Sequence, residues 1–252
     1  MTRKGGLAPF LLAAVLLSPA ACAGAPTPDK AKPPAKVLFV GNSFTYYNNS
    51  LHNHYRKLVA ASGHEFGKPS RARIKTISGG RLPEHRGGMS VVVAADSWDV
   101  VILQGHSLGP ISEATAAQFR DAASDYAATI REHGGRPAFF MTWAYTGKPE
   151  MTAKLDAAYT AVGRELDAEV VPVGLAFEMA TSERPELALR VADAKHPTMA
   201  GTYLAACTFF SALHHTSPEG LGYAAGLAPD DALYLQRVAW DTVVAYRERE
   251  AR

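Results

Sequence analysis

Cysteine is scarce in this sequence, with only Cys22 and Cys207 among 252 residues. At most one of them, Cys207, lies in the part of the chain that we expect to fold, and this excludes an internal disulfide framework. Cys207 sits within an apolar run, residues 203–210. We therefore predict that it is a small buried hydrophobic residue and not a nucleophile.

An excess of charge of either sign is also missing. The chain has 26 basic and 24 acidic residues, for a formal net charge of +2, and no long block of Lys and Arg. Nucleic acid and anionic membrane surfaces attract proteins with clustered positive charge. We therefore predict that nucleic acid is not a partner.

Metal and cofactor motifs are absent as well. Neither His52 with His54 nor His214 with His215 has the i, i+4 spacing of a zinc-protease helix, and there is no cysteine cluster. The glycine-rich loops that bind nucleotide phosphates do not occur either. The sequence predicts no cofactor and no metal.

No apolar run reaches the length of about 20 residues that a membrane-spanning helix needs. The N-terminus instead has Arg3 and Lys4, an apolar run over 7–17, and small residues up to Ala25. These are the three parts of a secretory signal peptide. We predict a signal peptide over residues 1–25 and an extracytoplasmic protein.

The sequence allows two alternative cleavage sites for the signal peptide. Residues 23–25, Ala-Gly-Ala, suit ordinary signal peptidase, which leaves a secreted protein. Residues 18–22 are similar to a bacterial lipobox, although Pro19 stands where Leu is usual. In that case Cys22 carries a lipid that tethers the protein to a membrane.

The order of elements predicts the fold class. Residues 26–36 are rich in proline and lysine and are predicted to be a linker, followed by a domain over 37–252. Short apolar segments in this domain alternate with segments of helical periodicity, which favours a parallel sheet covered on both faces. We predict an α/β fold with three α/β/α layers, flavodoxin-like, with a parallel sheet of about five strands. The predicted strands are residues 37–40, 72–77, 100–103, 138–142 and 170–173.

Ligand sites in such sheets lie beyond the carboxyl ends of the strands. The first strand runs directly into Gly41-Asn42-Ser43. A serine at a strand-to-helix turn is exposed beside the N–H groups of the following helix, which suits a nucleophile. The alternative is that Ser43 only caps the helix.

A second motif, Asp193-x-x-His196-Pro197, lies near the C-terminus. An acid three residues before a histidine can hold one imidazole nitrogen, so that the other accepts a proton from a serine. Because Pro197 disfavours helical angles at His196, we expect both residues in a loop before a helix. The alternative is a helix-capping Asp beside a surface His.

In this order, the two motifs resemble those of the SGNH (GDSL-like) hydrolase superfamily. The resemblance covers roughly residues 36–212. It is strongest to a branch with Val-Gly-Asn-Ser-Phe-Thr, here 40–45, and His-Pro-x-x-x-Gly-x-Tyr-Leu, here 196–204. The resemblance implies a serine esterase with a catalytic triad of Ser43, Asp193 and His196.

The resemblance also implies an oxyanion hole. Its first two donors are the N–H of Ser43 and that of a glycine after the second strand, here Gly79, with Gly80 as the alternative. The third is an Asn side chain in a Gly-x-Asn-Asp block. That block reads Gln104-Gly105-His106-Ser107 here, so we expect His106 in this role, with Gln104 as the alternative.

The expected function is hydrolysis of carboxylic esters outside the cytoplasm, with an acylated glycan as one possible substrate and acetate favoured as the acyl group. A lipase or thioesterase of the same superfamily, and a ligand-binding protein that has lost turnover, remain alternatives. Thr45 replaces the second glycine of Gly-x-Ser-x-Gly, which argues against an α/β-hydrolase. Trp143 and Tyr145, after the fourth strand, either line the cleft or pack inside the protein.

Overall fold

A computed structural model describes residues 1–2, 33–63 and 71–252. Contacts divide the chain into Met1–Ala31 and Lys32–Arg252, and the fold described here is that of the second unit. Apart from residues 1–2, the predicted signal peptide lies outside the described residues. So do the lipid site at Cys22 and most of the predicted linker, and these stay predictions.

The sheet has five strands in the order β2-β1-β3-β4-β5, and each pairing is parallel. This confirms the predicted flavodoxin-like α/β architecture. The first strand begins one residue earlier than predicted, because Lys36 pairs with Arg71. The strands are β1 (Lys36–Gly41), β2 (Arg71–Thr76), β3 (Val100–Leu103), β4 (Arg136–Phe140) and β5 (Glu169–Val171).

Both faces of the sheet are covered by helices. The helices are α1 (Ser43–Tyr46), α2 (Leu51–Ala61), α3 (Arg86–Ala94), α4 (Ala116–Glu132), α5 (Glu150–Glu165), α6 (Val173–Glu183), α7 (Met199–His214) and α8 (Pro229–Glu250), with a short 3-10 helix at Leu82–His85. Side chains of β1 alternate between two cores: Val37 and Phe39 pack with α2, α6, α7 and α8. Leu38 and Val40 pack with α3, α4 and α5. This alternation confirms the predicted three layers.

Two helices differ from the sequence prediction. The fifth strand was expected to reach Val173, but it ends at Val171 and Val173 begins α6. Pro172, which has no N–H to give to a sheet, stands at the N-cap of α6 and ends the strand. Helix α3 was not predicted because Gly87 and Gly88 lower its helix propensity.

Helix α7 is the most deeply buried helix segment near the site. All residues from Ala200 to His214 are buried, which explains why this segment is apolar on every side. Cys207 is free and buried, and burial raises the pKa of its thiol. The prediction of a buried, unreactive cysteine is therefore confirmed.

The first turn of α7 lies against the chain segment that precedes the Asp-x-x-His motif. Thr198 caps the helix, since its Oγ1 accepts a hydrogen bond from the N–H of Gly201 at 3.2 Å. A Cβ at Gly201 would come within 2.3 Å of the carbonyl oxygen of Leu189. Only glycine therefore allows this close approach.

Within the described residues, no helix is both long and apolar enough to cross a membrane.

We predict that Gly201→Ala lowers the free energy of unfolding by about 1–3 kcal/mol, because backbone must move to admit the methyl group. Gly87→Ala is the matched control, since a Cβ there meets no atom within 4 Å. It should raise stability by up to about 1 kcal/mol, as alanine is the better helix former. Urea unfolding measures both, and equal effects of the two substitutions would contradict the close approach.

Candidate active site

Ser43 is the first residue of α1, directly beyond the carboxyl end of β1. The residue that caps α1 is Asn42, whose Oδ1 accepts a hydrogen bond from the N–H of Phe44 at 3.1 Å. The side chain of Ser43 is therefore not used for capping, contrary to the alternative raised by the sequence. Its Oγ instead lies 2.8 Å from Nε2 of His196.

Asp193 and His196 lie in the loop before α7, where the proline rule predicted them. Oδ2 of Asp193 is 2.5 Å from Nδ1 of His196, and Oδ1 accepts the N–H groups of Lys195 and His196, each at 2.9 Å. The bond from the His196 side chain, followed by these two backbone bonds, lowers the pKa of Asp193 to about 2. Because Thr198 caps α7, Asp193 is not the helix cap.

These bonds fix the direction of proton transfer. A carboxylate only accepts hydrogen bonds, so Nδ1 of His196 carries a hydrogen and donates it to Asp193. In the neutral imidazole, Nε2 is then an acceptor and the hydroxyl of Ser43 donates to it. The arrangement can withdraw a proton from Ser43.

An aromatic ring covers one face of His196. The ring of Tyr47, just after α1, stacks on the imidazole with centroids 4.4 Å apart and planes inclined by 12°. Phe44 meets the imidazole edge-on at 5.6 Å. Sequence reasoning did not find Tyr47, because nothing in the local sequence shows that its partner lies about 150 residues away.

The segment after Tyr47 is held against the same loop by Asn48. Its Nδ2 donates to the carbonyl of Pro197 and to Oγ1 of Thr202, each at 2.8 Å. Asn48, Asn49 and Ser50 all have positive φ, of 51°, 65° and 67°. Three consecutive non-glycine residues in this region are strained, and such strain is retained where surrounding contacts fix the backbone.

Trp143 is a packing residue and does not line the cleft. It is fully buried, and its ring stacks between Phe44 at 4.4 Å and Phe177 at 4.1 Å. Its indole N–H donates to the carbonyl of Lys195 at 2.9 Å, beside His196. Trp143 therefore joins α1, α6 and the histidine loop. Tyr145 is half-buried, with its hydroxyl 2.5 Å from Oγ of Ser107.

The two glycines after β2, Gly79 and Gly80, differ in their hydrogen bonds. The N–H of Gly80 donates to the carbonyl of Ile77 at 2.9 Å, and its carbonyl accepts Nδ2 of Asn42 at 3.0 Å. Gly79 is exposed with φ of +64°, and its N–H makes no hydrogen bond to the part of the chain that the structure describes. Gly79 thus remains the candidate donor, while the N–H of Gly80 is occupied.

Gln104 is buried and fully engaged. Its Nε2 donates to Oδ1 of Asn42 at 2.6 Å and to the carbonyl of Gly105 at 3.2 Å, while Oε1 accepts the hydroxyl of Thr45 at 2.6 Å. Both amide hydrogens are used, so Gln104 has none left for a substrate. The alternative that named it as an oxyanion donor loses its support.

Nε2 of His106 makes no hydrogen bond to the described residues and is therefore available as a donor. Nδ1 accepts the N–H of Leu108 at 3.4 Å, which assigns the hydrogen of the neutral ring to Nε2. Burial first, and then Arg81, lower the pKa of His106, so the ring is neutral at pH 7. A neutral imidazole with hydrogen on Nε2 is a hydrogen-bond donor, as an oxyanion hole requires.

Other histidines serve the fold. His54 lies with Nδ1 2.7 Å from the hydroxyl of Tyr223 and Nε2 2.6 Å from the carbonyl of Asn48. Across residues 33–63 and 71–252, no three His, Cys, Asp or Glu side chains are close enough together to hold a metal ion.

Comparison with known proteins identifies the fold. No family model matches the chain, and no curated protein matches it. A DUF4886 family protein from Bacteroides uniformis superposes with a TM-score of 0.65 at 21% identity, over 83% of this chain and 94% of that one.

Two further structures are similar. A protein from Slackia heliotrinireducens, provisionally described as an SGNH hydrolase, has a TM-score of 0.58 at 22% identity, over 70% of this chain and 97% of that one. The acetyl xylan esterase AlAXEase has a TM-score of 0.55 at 15% identity, over 71% of this chain and 99% of that one. The chain therefore has the fold of the SGNH (GDSL-like) hydrolases, which confirms at the level of the fold the resemblance in its motifs.

Proposed function

We propose that this chain is an exported serine esterase whose catalytic triad is Ser43, His196 and Asp193. The observation that carries the proposal is the continuous hydrogen-bonded chain from Oγ of Ser43 through His196 to the carboxylate of Asp193. Such a chain generates a nucleophile from an otherwise unreactive hydroxyl. The export part of the proposal is supported by the signal-peptide pattern over residues 1–25, with Cys22 as a possible lipid anchor.

The reaction follows from these contacts. His196 takes the hydroxyl proton of Ser43 as Oγ bonds to the ester carbonyl carbon, and Asp193 stabilises the imidazolium. The N–H groups of Ser43 and Gly79, with Nε2–H of His106, donate to the negative oxygen. When the tetrahedral intermediate collapses, His196 protonates the leaving alcohol. Water, deprotonated by His196, then releases the carboxylic acid from Ser43.

We infer that the substrate is an acylated glycan with a short acyl group such as acetate. The side chains of His196 and Asp193 retain 25% and 43% of their solvent exposure, so a bulky alcohol can reach the site. One protein of similar fold is an acetyl xylan esterase, which fits this substrate class. A lipase or thioesterase activity is the alternative within the same chemistry.

We predict that Ser43→Ala lowers the kcat for p-nitrophenyl acetate by at least about 10⁴-fold, because loss of one triad member removes nucleophilic catalysis. The purified exported protein should prefer p-nitrophenyl acetate to a long-chain ester. Ser90→Ala, at an exposed serine of α3, is the matched control and should keep full activity. Equal hydrolysis by the Ser43→Ala variant and the unchanged protein would indicate a non-catalytic binding protein.

We predict that His106→Ala lowers kcat by about 10²–10³-fold with little change in KM, since an oxyanion donor acts mainly in the transition state. His106→Asn should recover part of the loss, because an amide N–H can donate in the same place. The control is His133→Ala, at an exposed histidine after α4. A kcat that survives His106→Ala would remove this residue from the oxyanion hole.

The stacked ring of Tyr47 gives a prediction about catalysis. An aromatic face attracts a cation, so Tyr47 should stabilise the protonated form of His196 that arises during the reaction. The other groups that contact this imidazole are Asp193, Ser43 and Phe44, and none of them changes in a Tyr47 variant. Tyr47→Leu should therefore lower kcat by about 2–30-fold.

Tyr47→Phe keeps the aromatic face and should behave as the unchanged protein. A loss of kcat in Tyr47→Phe as large as that in Tyr47→Leu would mean that the aromatic face of Tyr47 does not stabilise the imidazolium.

A further inference from the structure

A cavity of about 530 Å³ lies beside the histidine loop and outside the triad. Its walls come from the segment after β4, the second half of α6, and residues 185–190. Its volume is within the range of about 300–1,000 Å³ that small-molecule sites have. Its polar lining includes Tyr145, Thr152, Glu178, Thr181, Ser182 and Arg190.

Arg190 is the unusual member of this lining. It is half-buried, and burial alone lowers the pKa of its guanidinium to about 10, so the group is still charged at pH 7. No carboxylate in the described part of the chain lies within 4.0 Å of it. A charge that is partly removed from water and has no counter-ion is costly, which favours the binding of an anion.

The guanidinium makes two hydrogen bonds, both to residues that also line the cavity. Nε donates to the carbonyl of Ala144 at 2.7 Å, and one nitrogen of the fork donates to Oγ1 of Thr181 at 3.4 Å. The ring of Phe177 supports the group at 5.3 Å. Contacts with the residues that the structure describes use two of the five N–H bonds and leave three for a ligand.

We propose that this cavity binds the carboxylate of an acidic sugar residue, a uronic acid, through the guanidinium of Arg190. The planar fork of arginine matches a carboxylate with two parallel hydrogen bonds. Tyr145, Thr152 and Ser182 line the same space, and the hydroxyls of Thr152 and Ser182 suit a sugar. The carboxylate of Glu178, also in the lining, favours a singly charged ligand over a doubly charged phosphate.

The cavity is connected to the triad through the backbone. The N–H of Thr146 donates to the carbonyl of Ala194 at 2.9 Å, and the N–H of Val191 donates to the carbonyl of His196 at 2.9 Å. The binding of a carboxylate at Arg190 does not depend on the proposed esterase function.

The test is calorimetric titration of the full chain with D-glucuronate and, separately, with D-glucose and inorganic phosphate. We expect D-glucuronate to bind at least 10-fold more tightly than either of the other two, an effect on the order of one charge-assisted contact. Arg190→Gln should abolish this preference. Glu178→Gln should strengthen D-glucuronate binding several-fold, because it removes a competing negative charge and leaves Arg190 in place.

Equal binding of D-glucuronate and D-glucose, or D-glucuronate binding that survives Arg190→Gln, would overturn the inference. Tighter binding of phosphate would overturn the assignment of a carboxylate. If Arg190→Gln does not fold, the inference is still tested by comparing the affinities for D-glucuronate, D-glucose and phosphate in the unchanged protein and in Glu178→Gln. Hydrolysis of p-nitrophenyl acetate without D-glucuronate binding contradicts only this inference, and binding without hydrolysis contradicts only the proposed function.

Discussion

The geometry of the site depends on the three hydrogen bonds that the carboxylate of Asp193 accepts. They fold residues 193–196 into a tight loop with Ala194 at a φ of 65°, and they set the direction in which His196 faces. Because they hold the pKa of Asp193 near 2, the group is ionised over the whole neutral range. The contribution of Asp193 to the free energy of unfolding is fully present above the pKa that Asp193 has in the unfolded chain. It is lost as the pH falls towards 2.

A second constraint is the amide of Asn42, the residue before Ser43. Its Oδ1 accepts from Phe44 and Gln104, while its Nδ2 donates to the carbonyl of Gly80. An ionised aspartate could not make the last of these bonds, because it has no hydrogen to donate. Asn42 and Gln104 therefore complement each other, and together they join α1 to β3 and to the glycine turn after β2.

Much of the fold could be predicted from sequence, because an apolar strand such as residues 37–40 and the Gly41 that ends it are local signals. The motifs around Ser43 and Asp193 were also local, which is why resemblance could find the candidate triad. Tyr47, Trp143 and Arg190 could not be interpreted in this way. The partners of Tyr47 and Trp143 lie far along the chain. Arg190 is significant because it forms no ion pair with an acid in the described part of the chain, and only the folded chain reveals this.

The central claim is that His196 makes Ser43 nucleophilic. The most direct measurement is labelling of the native protein with a fluorophosphonate, which forms a bond to an activated serine oxygen with loss of fluoride, followed by mass spectrometry of its peptides. The hypothesis predicts one label per chain, on Ser43, and its loss in His196→Ala. A folded protein that stays unlabelled at Ser43, or that is labelled equally after His196→Ala, would contradict it.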